Sequence, residues 1–156
     1  QIEKLLTYKY KNLAELNIRS FLWGISFFLG LKLNAEEINL DIINAHLQKS
    51  PFKLKRIVLG SELQAQRPNG RQMGTQWTVG ICKELGATEY LHGGTAQAGY
   101  MDESYYDKNK IKLITQDWKC HKYPQQFDEK VGFISNLSII DLLLNVDQKK
   151  AIEIIK

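Results

Sequence analysis

Between residues 57 and 116, short runs suited to β-strands alternate with stretches of helical period, and that alternation admits few folds. Ile57, Val58 and Leu59 form a mostly β-branched run between charge and glycine, which predicts a strand. Thr75 to Leu85 predicts a helix, with Trp77, Ile81 and Leu85 on one face and Gly86 placed to stop it in a left-handed cap. "TEYLHG" predicts a second strand and "SYYDKNK" a short helix or turn. In "IKLITQDW", a third strand, Ile111, Leu113 and Thr115 alternate with Lys112 and Ile114. Strands separated by helices in this way pair in parallel, so the expected class is α/β: a small parallel sheet layered with helices.

The flanks read as helix. In "NLAELNIRSFLWGISFFLGLKL" apolar residues recur at Leu13, Leu16, Phe21, Phe27 and Phe28, and Gly30 sits where a C-terminal cap belongs. A second helix is expected from "NAEE", where Asn34 and Glu37 have capping-box spacing, with Ile38, Ile42 and Ala45 on its apolar face and Ser50-Pro51 at its end. Ser138 and Asp141 have the same spacing at the head of "SNLSIIDLLLN", and "VDQKKAIEIIK" predicts a last short helix. At 156 residues the chain is expected to form a single α/β domain, mainly helical over 1–50 and strand-helix-strand over 51–156.

Composition narrows the function. Apolar and charged fractions of 44% and 24% are those of an ordinary soluble globular protein. The net charge of +4 is spread along the chain, whereas a nucleic-acid binder concentrates its Lys and Arg, so no nucleic-acid partner is expected. Two cysteines, Cys82 and Cys120, make no disulfide framework and suit a reducing cytosol. The run Phe21 to Leu31 is too short to span a bilayer and is not preceded by a signal-peptide pattern. A buried core helix is expected there rather than a peripheral membrane contact, and a cytoplasmic location follows.

Parallel sheets bind ligands in the loops at the carboxyl ends of their strands. That rule gathers Gly60–Leu63, His92–Tyr100 and Gln116–Gln126 on one rim. Gly93 and Gly94 open a loop, closed by Tyr100, whose amides suit an anion such as a phosphate or carboxylate. Paired glycines equally serve a turn that needs positive φ. Asp102 and Glu103 follow the loop, either as site carboxylates or as an acidic first helical turn. Ser61 and Glu62 stand just past the first expected strand, as substrate contacts or as a turn. His92 and His121 offer imidazoles, the side chain most suited to general-base work, but have no sequence neighbour that fixes a role. Cys82, Cys120 and His121 lack recognised ligand spacing, so no metal is expected. Tyr123 offers an apolar platform and Gln125 a two-way hydrogen-bonding amide, both suited to a sugar, or both are parts of a turn around Pro124. Asp141 is either a cap residue or a buried carboxylate that needs partners.

Five segments in order, "SEL", "ICKELGATEYLHG", "YMDE", "IKLITQDWKCHKYPQQF" and "NLSIIDLLLN", resemble the C-terminal half of the WbqC-like family, found among bacterial genes for O-antigen and other surface polysaccharides. The resemblance covers roughly residues 56 to 146, and "LAELNIRSFLWGISFFLGL" is a looser fit to a family helix. The family's opening His-Gln-Pro type segment and aromatic Pro-Trp run are not seen, and "NAEEINLDIINAHLQKSPFKL" reads as an insertion. A site completed by a further N-terminal segment is therefore one expectation.

The resemblance implies a transferase-like enzyme of surface-polysaccharide (O-antigen) biosynthesis, passing an acyl or aminoacyl (glycine-type) group to an amino sugar. In that reading Asp102 or Glu62 is catalytic, orienting or deprotonating the amine. Ser61, Gly93, Gly94, Tyr100, Glu103, Gln116, Tyr123 and Gln125 bind substrate. The substrate is a small molecule, a sugar nucleotide or amino sugar, and no cofactor is expected. The other reading is a non-catalytic module of the same pathway that binds a sugar nucleotide or a partner protein.

Overall fold

The computed structural model describes residues 2–65, 67–68, 73–93 and 101–155. The chain packs as two compact units, one of residues 1–57 with 120–156 and one of residues 58–119. It is α/β, as expected: among the described residues there are eight α-helices and one sheet of two parallel strands. No helix among them is long and apolar enough to cross a membrane.

The first unit is helical, with α1 (Ile2–Thr7), α2 (Leu13–Phe28), α3 (Leu40–Lys49), α6 (Asp128–Val131), α7 (Ile139–Asn145) and α8 (Gln148–Ile155). Asn12 starts α2 by accepting the Glu15 N–H at 2.9 Å. Gly30 ends it as expected, at φ +71°, with Leu31 N–H donating to Ser26 O at 2.9 Å and Gly30 N–H to Phe27 O at 3.0 Å. Leu22 and Trp23 of this helix enter a core shared with Ile43 and Leu47 of α3, Leu142 of α7 and Ile154 of α8.

Two expectations fail here for local reasons. Asn34 and Glu37 do exchange their bonds, at 3.1 and 2.9 Å, but they close a single turn and not a helix. Asn39, in extended backbone at φ −146°, then interrupts the chain and caps α3 by accepting the Ile42 N–H at 3.0 Å. The buried face of α3 is consequently Ile43 and Leu47 rather than Ile42 and Ala45. The run Ile57–Leu59 joins no sheet. Asn44 takes the place of a strand partner: its Oδ1 accepts the Ile57 N–H at 2.8 Å and its Nδ2 donates to Ile57 O at 2.9 Å.

The second unit contains α4 (Met73–Glu84), β1 (Glu89–Gly93), α5 (Glu103–Lys108) and β2 (Lys112–Gln116). The strands pair in parallel from Glu89 opposite Lys112 to Gly93 opposite Gln116. Gly86, at φ +66°, ends α4 as expected, with Ala87 N–H donating to Cys82 O at 2.8 Å. Val79, Cys82, Tyr106 and Ile111 make the core. The buried side of α4 is therefore Thr75, Val79 and Cys82, not the expected Trp77, Ile81 and Leu85. Trp77 and Glu84 instead fasten the preceding segment along the helix. Trp77 Nε1 donates to Ala65 O at 3.1 Å, and Glu84 accepts the Gln64 and Ala65 N–H groups, each at 2.8 Å.

Candidate active site at the end of the first strand

Alternation along β1 turns Tyr90 and His92 to one face and Leu91 to the other, where Leu91 is 62% exposed. On the inner face the rings of Tyr106, Tyr90 and His92 form a stack. Tyr90 lies 5.5 Å from Tyr106 at 18° and 6.4 Å from His92 at 16°, measured between ring centres. Thr75 and Thr78, from the first turns of α4, face this stack, and Met101 and Gly93 close its sides. Together these residues enclose a cavity of about 270 Å³ at the carboxyl end of β1, the end where parallel sheets hold ligands.

His92 is the buried imidazole of this cavity, at 8% exposure. Its Nδ1 lies 3.0 Å from Gly93 O. A carbonyl only accepts, so the neutral ring carries its proton on Nδ1 and its lone pair on Nε2. Nε2 lies 3.3 Å from the Thr115 hydroxyl of β2, the residue opposite His92 in the register. The Thr78 and Tyr106 hydroxyls bond one another. Burial pushes the Tyr106 phenol above its ordinary pKa, with Thr78 opposing, so it remains a neutral hydrogen-bonding group. The cavity thus presents an apolar wall, the hydroxyls of Thr75, Thr78 and Tyr106, and an imidazole with its proton on Nδ1.

Asp102 stands at the edge of this site as the N-cap of α5. Its backbone N–H donates to Thr75 Oγ1 at 3.1 Å. Its Oδ1 accepts from Ser104 Oγ at 2.7 Å and from Tyr105 N–H at 3.2 Å. The Ser104 hydrogen bond is the largest influence and holds this carboxyl below its ordinary pKa; desolvation, next in size, opposes it, and the Tyr105 amide and the Lys108 charge add to the lowering. An anion held so well orients a partner better than it takes a proton. Glu103 is exposed on the first turn of α5.

Gly93 and Gln116 end the two strands side by side. Gly93 is not among the positive-φ glycines, and among the described residues a Cβ on it would meet nothing within 4 Å. Gly94 and Tyr100 lie outside the described residues. Ser61 and Glu62 are exposed on a single 3-10 turn, Gly60–Glu62, whose Gly60 lies beside Trp77 of α4. Neither lines the cavity.

Tyr123 and Gln125 belong to the first unit, where both are buried. Gln125 Oε1 accepts the Ile134 N–H at 2.9 Å, and its Nε2 donates to Ile134 O at 2.9 Å and to Asp141 Oδ2 at 3.2 Å. Tyr123 donates to the same Asp141 oxygen at 2.8 Å, and burial raises its phenol above the ordinary pKa. Asp141 is thus the partnered carboxylate, accepting also from Asn145 Nδ2 at 3.2 Å, while Ser138 Oγ caps α7 through the Ile140 N–H at 3.2 Å. Larger concavities of about 470 and 570 Å³ in this unit hold no buried histidine or carboxylate among their lining residues. Among the described residues no three His, Cys, Asp or Glu side chains gather as metal ligands.

The sequence leaves His92 without a role, because Thr115 meets it only through strand register, and Thr75 and Thr78 line its cavity only through helix packing. The one local signal is the spacing of Tyr90 and His92, which places both rings on one face of a strand.

No curated protein and no solved structure matches the chain. The WbqC-like protein family matches residues 1–153, so the likeness is not confined to the C-terminal half and takes in the N-terminal helices as well. With nearly its whole length matched, the chain belongs to the WbqC-like protein family.

Proposed function

We propose that the chain is a transferase-like enzyme of surface-polysaccharide assembly, which binds an amino sugar in the cavity beside His92 and transfers an acyl or aminoacyl group to it. Family membership supports the pathway, and the buried imidazole with a fixed tautomer at a strand's carboxyl end supports the chemistry. The sugar's apolar face lies against the aromatic stack, and its hydroxyls meet Thr75 and Thr78. The amine nitrogen attacks the carbonyl carbon of an activated acyl donor. The C–N bond forms, the bond to the leaving group breaks with its electron pair, and the surplus proton on nitrogen passes to His92 Nε2. The Thr115 hydroxyl, which donates to Nε2 at rest, turns to accept from it once it is protonated, Asp102 orients the amine, and Gln116 with Gly93 marks where donor and acceptor meet.

A second reading, a non-catalytic sugar-nucleotide-binding module, draws support from Asp102, whose carboxylate is committed to capping α5. Thermal unfolding against nucleotide-linked amino sugars, free nucleotides and amino acids tests both. A ligand at about a hundred times its dissociation constant stabilises a fold by roughly 2.7 kcal/mol. A shift with an amino sugar, lost in Thr78→Val and accompanied by acyl transfer, supports the enzyme. A shift without transfer from any acyl donor supports the module, and no shift removes both readings.

A further inference from the structure

The first unit carries an apolar groove of about 230 Å³ that the proposed chemistry does not use. Its floor is Ile25 and Leu29 from the region of α2, Leu47 of α3 and Ile155 of α8. Its rim is the segment after α3, where Phe52, Lys53 and Leu54 line the opening and Leu54 stays 43% exposed. The charge around this rim is one-sided. No Asp or Glu occurs from residue 42 to residue 61, and "KSPFKLKR" holds Lys49, Lys53, Lys55 and Arg56 within eight residues. All four are exposed, and among the described residues none pairs with a carboxylate. Lys55 Nζ donates to Ser50 O at 2.6 Å, which draws the rim segment together around its cations.

Apolar side chains interleaved with unpaired cations beside an apolar groove match the two parts of an anionic amphiphile. We propose that this rim docks on an anionic lipid surface. Phe52 and Leu54 enter the acyl region, the groove takes part of one acyl chain, and Lys53 and Lys55 lie against the head groups. A nucleic acid would use the cations but leave the groove and Leu54 idle. A protein partner in place of a lipid is an outcome of the test below, because it leaves the mixed vesicles unbound.

Co-sedimentation with vesicles tests this on the intact chain. It should bind vesicles of phosphatidylcholine with phosphatidylglycerol and not those of phosphatidylcholine alone. Lys53→Gln with Lys55→Gln should lower the partition coefficient roughly 30-fold, from the worth of each cation near an anionic surface. Leu54→Asn should lower it roughly tenfold, as the loss of a partly inserted leucine. All three positions are exposed and circular dichroism should show an unchanged fold; because Lys55 also bonds Ser50 O, Lys53→Gln alone is the charge control, with a roughly fivefold loss. Absence of binding to the mixed vesicles overturns the proposal. So does binding that Leu54→Asn leaves intact while inorganic phosphate or a DNA oligonucleotide competes it away, because that describes a plain cation patch.

Discussion

Asp141 accepts the Tyr123 phenol at 2.8 Å across eighteen positions of sequence, and on the same oxygen it accepts the Gln125 amide at 3.2 Å. This one carboxylate ties the head of α7 to the segment before α6, while Gln125 grips the backbone of Ile134 on both sides. The network gives two residues suited to sugar binding a structural occupation in the first unit.

Removing its centre should be expensive in stability. Asp141→Ala leaves the buried Tyr123 phenol without its acceptor and the Gln125 amide with Ile134 O alone, and should destabilise the first unit by about 2–3 kcal/mol. Tyr123→Phe removes one donor only and should cost about 1 kcal/mol. Urea unfolding followed by tryptophan fluorescence measures both, and neither variant should alter ligand binding beside His92.

Gly30 and Gly86, the glycines that end α2 and α4 at positive φ, should separate in a measurable order. A Cβ on Gly86 meets nothing within 4 Å, so Gly86→Ala carries only the strain of φ +66°, about 1–2 kcal/mol. A Cβ on Gly30 would lie 3.0 Å from Gln148 Nε2, which itself donates to Phe28 O at 3.1 Å. Gly30→Ala should therefore cost more than Gly86→Ala in melting temperature. The opposite order would mean that Gln148 swings aside freely.

Alkaline pH should destabilise the fold. Burial is the first cause that raises the Cys82, Tyr106 and Tyr123 groups above their ordinary pKa values. Each stays protonated in the folded chain at a pH where it ionises in the unfolded chain, so the unfolded chain binds fewer protons and stability falls as pH rises. The contribution is complete below about pH 8 and is lost progressively above about pH 9 to 10, beginning with the cysteine. Cys82→Ala should flatten the first part of that decline, which stability measured from pH 7 to pH 11 would reveal.

Asp102 predicts the acid limb with the opposite sign. Its carboxyl is held low by Ser104 and Tyr105, so its contribution is present above about pH 4 and is lost as pH falls through the depressed folded value. Asp102→Asn should reduce the steepness of acid unfolding. An unchanged acid limb would show that ionisation of this carboxyl contributes nothing to stability, since asparagine can still cap the helix.

Legibility in the sequence followed the range of the interactions. Gly30 and Gly86 end their helices where expected, because a C-terminal cap is settled within about six residues. The parallel pairing of β1 with β2 was readable from the helix between them. Burial was not local. Trp77 lies toward the segment fastened through Ala65, so α4 buries Val79 and Cys82 instead. Ile57 satisfies its backbone on Asn44, thirteen residues upstream, a partner that no strand propensity registers. The site shows the same limit. Gly93, Gln116 and Asp102 were placed near a strand end by topology, whereas the role of His92 depended on Thr115 in the neighbouring strand.

The most direct test of the account follows the His92 ring nitrogens by NMR in ¹⁵N-labelled protein while a nucleotide-linked amino sugar is added. A proton on Nδ1 and a lone pair on Nε2 should be visible before addition. Saturable shifts at His92 Nε2, together with the amides of Thr75, Thr78 and Gly93, are the predicted result. Shifts confined to Tyr123, Gln125 and their neighbours, or none at any concentration that shifts the melting temperature, would contradict a ligand site beside His92.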